Sequence, residues 1–160
     1  MKVKLLAYML VLLGLLTSCK EKQYLVGYYS YDKFQKECKW DYFVDEKYAD
    51  RAKERWLDSL STIEVSDSLR LQLFLGCYCG DSKKWVPRYY ALKDQLPIAD
   101  VEIISVDTTK KDEKNLAGLA GIEKIPTFIF YQGSREIGRI VEKPKGRIEK
   151  NLFHLLKNCE

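Results

Sequence analysis

The sequence predicts an α/β fold in which one central mixed β-sheet is flanked by helices on both faces. Three observations lead there. Runs rich in branched and aromatic residues at 69–75, 101–106 and 127–131 have strand length and stop at turn-forming residues. Stretches with an apolar face at helical spacing occupy about 45–60, 82–96 and 145–157. The connections from 75 to 101 and from 106 to 127 are long enough for helical crossovers.

The first element is a leader. "MKVKLLAYMLVLLGLLTSCK" carries Lys2 and Lys4 ahead of an apolar core of 12 residues, 5–16. A bilayer-spanning helix needs about 20 apolar residues, so the run reads as the core of a signal peptide. It closes on Leu16-Thr17-Ser18-Cys19, which resembles the bacterial lipobox. That resemblance implies cleavage before Cys19 and acylation of its thiol, which anchors the protein to a membrane of the bacterial envelope. An ordinary cleaved signal with an incidental cysteine is the alternative. Residues 1–18 are thus the signal peptide, 19–44 a tether and irregular segment rich in tyrosine, and 45–160 the folded domain.

The domain elements follow in order. An extra N-terminal helix over 45–60 places Ala49, Ala52, Trp56 and Leu60 near one face. "LRLQLFL" at 69–75 is a strand that Gly76 stops, and a helix over 82–96 follows, interrupted by Pro87. "VEIISV" at 101–106 is a buried strand, and 115–120 a short helix ending at Gly121. "TFIFY" and "REIGRIV" flank "QGS" as a β-hairpin with Gly133 in the turn. The last helix, 145–157, aligns Ile148, Leu152, Leu155 and Leu156.

Composition excludes several classes of function. With 46% hydrophobic and 31% charged residues, the chain has the makeup of one globular domain. Without Lys2 and Lys4 there remain 25 basic and 23 acidic residues, which gives no ground for nucleic-acid binding. The only histidine, His154, lies far along the chain from Cys77 and Cys79, so a zinc or copper site, which needs further ligands, is the weaker reading of that pair and no metal is expected.

An exported chain has its thiols in an oxidising compartment. Cys38, Cys77, Cys79 and Cys159 allow three connectivities, among which chain distance favours Cys77 with Cys79 and leaves Cys38 and Cys159 free or joined. Cys79 stands where an apolar strand gives way to a helix. The unpaired N–H groups and dipole of a helix start stabilise a thiolate, the form that attacks disulfides.

Three motifs carry a family resemblance over 61–160. Cys79-Gly80-Asp81-Ser82 follows a buried strand, Pro87 lies eight residues beyond Cys79, and "GIEKIPTFIFYQG" spans 121–133. In this order and spacing they resemble thioredoxin-like proteins, in particular envelope lipoproteins with Cys-Gly-Asp-Ser in place of Cys-Gly-Pro-Cys. The resemblance implies a thioredoxin-like fold, a cis peptide bond at Pro126 beside Cys79, and a peptide groove formed by Tyr78, Ile125 and Pro126.

It also implies thiol-disulfide exchange, of the reductase or isomerase type, on exported or envelope proteins that contain cysteines. That chemistry uses protein sulfur and no cofactor. The departures from the family are specific: Ser82 replaces the resolving cysteine, Tyr78 a tryptophan, and Leu73 the buried acid. Cys79 is the expected nucleophile and Ser82 the expected hydrogen-bond partner of its thiolate. Either Cys77 resolves the mixed disulfide or Cys79 works alone. The rival from another class is a thioredoxin-fold binding module without redox activity.

Overall fold

A computed structural model describes residues 24–40, 54–63, 69–98 and 100–157. The leader, Cys19, Cys159 and residues 45–53 of the expected N-terminal helix lie outside the described residues.

Five strands form one mixed sheet: β1 (Gly27–Tyr29), β2 (Leu69–Leu75), β3 (Asp100–Ser105), β4 (Thr127–Gln132) and β5 (Arg135–Val141). Their order across the sheet is β1-β3-β2-β4-β5. β2 and β3 are parallel, while β1 pairs with β3, β4 with β2, and β5 with β4 in antiparallel fashion. The helices are α1 (Tyr31–Glu37), α2 (Glu54–Ser61), α3 (Gly80–Tyr90), α4 (Leu116–Leu119) and α5 (Ile148–Lys157).

The bounds of β2 and β5 are those the sequence predicts, because alternation and a stopping glycine or charge define both ends. The helix expected over 82–96 is shorter. α3 ends at Tyr90 and a single 3-10 turn, Lys93–Gln95, follows it. Pro87 lies inside α3 and removes one internal hydrogen bond without ending the helix. α4 begins one residue later than expected, since Asn115 takes a left-handed conformation at φ 57°. Asp112 supplies the cap instead, accepting N–H bonds from Leu116 at 3.1 Å and Ala117 at 2.7 Å.

The core divides between the two faces of the sheet. On one face Leu69, Leu71, Leu73 and Leu75 of β2 meet Phe34, Trp40, Leu60, Trp85, Val86, Tyr89 and Leu152. On the other, Phe74, Ile104 and Ile129 meet Ala117, Ile122 and Ile125. That second cluster draws on the C-terminal ends of β2 and β3, where the chain turns toward Cys79. The first half of β2 is polar on this face, with Gln72 donating to Glu102 at 2.7 Å and Arg70 over the Tyr131 ring.

The stretch read as an irregular tether contains structure. β1 adds an edge strand and α1 lies on the first face of the sheet. Phe34 and Trp40 are fully buried and meet edge to face at 5.1 Å, and Tyr31 stacks on Tyr90 of α3 at 3.5 Å. These anchors are spaced irregularly around a seven-residue helix, which is why no period signals them.

A disulfide fastens the same stretch. Cys38, just past α1, is bonded to Cys77, with Cα atoms 5.3 Å apart. This corrects the expectation of a local Cys77–Cys79 pair: the docking of α1 brings Cys38 to the end of β2, a proximity that chain distance conceals. Closing a loop across a separation of 39 residues restricts the unfolded chain by about 4 kcal/mol in the chain-entropy account. Replacing both residues, Cys38→Ala with Cys77→Ala, is expected to lower the unfolding free energy by about 2–4 kcal/mol in urea titration. No change in stability would show that α1 docks without the bond.

Candidate functional site

The site is built at the C-terminal end of β2. Residues 76–79 form a turn closed by the Cys79 N–H donating to the Gly76 carbonyl at 3.0 Å. α3 begins at once, with Cys79 as its N-cap in extended conformation. The Cys79 sulfur therefore takes the place usually filled by a capping oxygen and accepts the Ser82 N–H at 3.5 Å. Asp81 adds a negative charge in the first turn.

Across from it lies the loop before β4. The Ile125–Pro126 bond is cis, as the family resemblance implied. The Cys79 thiol is half-buried, carries no disulfide, and donates to the Ile125 carbonyl at 3.2 Å. The far side of this loop is also held: the Glu142 N–H donates to the Pro126 carbonyl at 2.7 Å, and the Thr127 hydroxyl donates to Lys124 at 2.7 Å.

Tyr78 covers the turn. Its ring and the Ile125 side chain both lie over Gly76, and its hydroxyl donates to the Asp107 carbonyl. Burial, then the nearby Cys79 and Asp107, push the phenol up to about 12, so it remains a donor at neutral pH. The Asp107 carboxylate is held below its usual range, first by the Lys111 N–H and then by the Thr109 hydroxyl. It organises the loop that receives Tyr78.

The structure thus brings Cys79, Ser82, Tyr78, Ile125 and Pro126 together. Ser82 is fully buried, and its amide rather than its hydroxyl bonds Cys79; the hydroxyl has no partner among the described residues. Cys77 is two residues from Cys79 in sequence but tied to Cys38, and it packs against the first core cluster while Cys79 packs against the second. Leu73 is fully buried where the resemblance expects an acid. The sequence gives Cys38 no role in the site, and its bond to Cys77 is one of the three connectivities that four cysteines allow.

A helix-capping thiol opposite a cis-proline loop is the geometry that the motifs foreshadowed. Residues 51–156 match the family described as Thioredoxin. The chain belongs to the thioredoxin family. A Populus jackii protein named Thioredoxin H-type is 26% identical over 104 residues, covering 65% of this chain and 72% of its own length. Thioredoxin H2 of Arabidopsis thaliana is 26% identical over 101 residues, covering 63% of this chain and 73% of its own. Among solved structures, PA1234 of Pseudomonas aeruginosa, a protein of unknown function, superposes with a TM-score of 0.51 at 17% identity. It covers 78% of this chain and 81% of its own, a likeness of fold alone. Membership of this family suggests a thiol-disulfide redox function.

Within this thioredoxin-family site, Gly76 is a steric requirement. A Cβ there would stand 2.7 Å from the Tyr78 ring and 3.0 Å from Ile125. Gly76→Ala is expected to displace the ring and to lower stability by about 1–3 kcal/mol in urea titration. Wild-type stability in that variant would mean that Tyr78 leaves the turn at no cost.

Proposed function

We propose that this protein is a lipid-anchored thiol-disulfide exchange protein of the bacterial envelope, acting on exported proteins with Cys79 as its nucleophile. The observation that carries the proposal is the seating of Cys79. Its sulfur is at the start of α3, within reach of the Ser82 N–H, and faces the Ile125 carbonyl of the cis-proline loop. Donors at a helix start favour the thiolate. The Ser82 N–H gives the thiolate a hydrogen-bonding partner in its own helix.

On this reading an extended peptide lies along Tyr78 and Ile125-Pro126 with its disulfide over Cys79. Attack forms a mixed disulfide and releases one substrate thiolate. With Ser82 in the position of the family's second cysteine, release of the other half requires a different thiol. Such a species suits reduction or isomerisation of misplaced disulfides.

Export is supported by two independent features. Leu16-Thr17-Ser18-Cys19 closes an apolar leader, and the Cys38–Cys77 disulfide is of a kind that persists in oxidising compartments. Ser82 and Leu73 favour the rival, a binding module without redox activity.

The two are separated by trapping. Membranes from bacteria producing the protein, quenched with acid and alkylated, are expected to contain mixed disulfides between Cys79 and envelope proteins, absent from Cys79→Ser. No such adduct would leave only the binding module. Ser82→Cys is expected to shorten the life of the adducts at least tenfold, because it restores a resolving thiol three residues from Cys79.

A further inference from the structure

We propose that Cys38 and Cys77 are the electron-donating pair behind Cys79, which makes the protein a three-cysteine relay and Cys38 a reacting residue. The inference rests on Cys79 being the nucleophile and concerns what relieves it of its mixed disulfide.

Cys77 is the thiol the fold offers. It shares the turn over residues 76–79 with Cys79, a turn closed at 3.0 Å, whereas the helical position three residues beyond Cys79 holds Ser82. Cys38 stands behind Cys77, at 5.3 Å between Cα atoms. Both are half-buried rather than sealed in the core, so they are open to exchange. Docking of the segment that carries Cys38 does not rely on the bond alone. Tyr31 stacks on Tyr90 at 3.5 Å, and Phe34 and Trp40 are fully buried in the first core cluster. With the disulfide open, these contacts keep Cys38 beside Cys77.

The steps balance. Starting from three thiols, the Cys79 thiolate attacks one sulfur of the substrate disulfide, whose S–S bond breaks, and one substrate thiolate leaves and is protonated. Cys77, losing its proton, attacks the Cys79 sulfur and expels the second substrate thiolate, leaving Cys77 bonded to Cys79. Cys38, losing its proton, attacks Cys77 and expels Cys79. The substrate gains two electrons and two protons; Cys38 and Cys77 lose them and end as a disulfide. A dithiol reductant resets the pair.

The last step has a direction. The better-stabilised thiolate is the better leaving group, and of the three only Cys79 stands at a helix N-terminus, whereas Cys38 is at the C-terminal end of α1. Electrons therefore come to rest with Cys79 free and Cys38 bonded to Cys77, the state the structure holds. In that state Cys77 packs against the first core cluster and Cys79 against the second, which turns the completed disulfide away from the regenerated thiol.

The test uses fully reduced protein, shown to be folded by circular dichroism, mixed with one equivalent of a cystine-bridged peptide, quenched with acid and mapped by mass spectrometry. Wild type is expected to release both peptide thiols and to carry Cys38 bonded to Cys77. Cys38→Ser should stop with Cys77 bonded to Cys79, and Cys77→Ser with the peptide on Cys79. Peptide retained on wild-type Cys79 while Cys38 and Cys77 stay reduced would overturn the relay yet leave Cys79 as nucleophile. No peptide on Cys79 in Cys77→Ser would overturn both. The reverse reaction avoids the reduced state. Oxidised Cys79→Ser, with its native disulfide, is expected to be reduced by a peptide dithiol at least tenfold more slowly than wild type. Equal rates would contradict the relay.

Discussion

The site depends on one contact, between the Cys79 sulfur and the Ile125 carbonyl at 3.2 Å. It joins two segments that have no reason to meet in the sequence: the start of α3 and the loop that leads into β4. The pairing of β2 with β4 sets their separation, since Phe74 lies opposite Thr127 and the two strand ends deliver Cys79 and Pro126 to the same edge. Glu142 then holds the loop from the β5 side through the Pro126 carbonyl. The sheet register, more than any single side chain, aims the thiol.

A thioredoxin-family scaffold that lacks the resolving cysteine and the buried acid keeps a thiol at the start of α3, facing the cis-proline loop. What it loses is the local means of letting go. Ser82 can bond to a thiolate but cannot displace a substrate from it. Leu73 exchanges a proton-relaying position for apolar packing between Ile103 and Phe128. The Cys38–Cys77 disulfide lies next to the turn where that lost function would be needed, and it stabilises the fold in its oxidised form. The relay proposed above would give the same pair of sulfurs a chemical role beside the structural one.

Much of this was legible in the sequence, for physical reasons. β2 and β4 are runs whose burial the residues themselves dictate, and Cys79 and Pro126 sit near the ends of these runs. The cis bond and the facing of Cys79 toward Ile125 came through family motifs, not through periodicity. The pairing of Cys38 was not legible. It depends on how Phe34, Trp40 and Tyr31 dock a short helix across 39 residues of chain, and long-range docking leaves no local pattern. The left-handed Asn115, with Asp112 as the true cap of α4, was hidden likewise, because either residue type suits a helix start.

The central claim is that the fold itself activates Cys79. The most direct measurement is the rate at which iodoacetamide modifies Cys79 at about pH 7, in the native protein and in urea, with the Cys38–Cys77 disulfide intact. The account predicts a native rate several-fold above the unfolded one, although the thiol is half-buried. A native rate equal to or below the unfolded rate would contradict it, since the helix start and the cis-proline loop would then do no more than cover a cysteine.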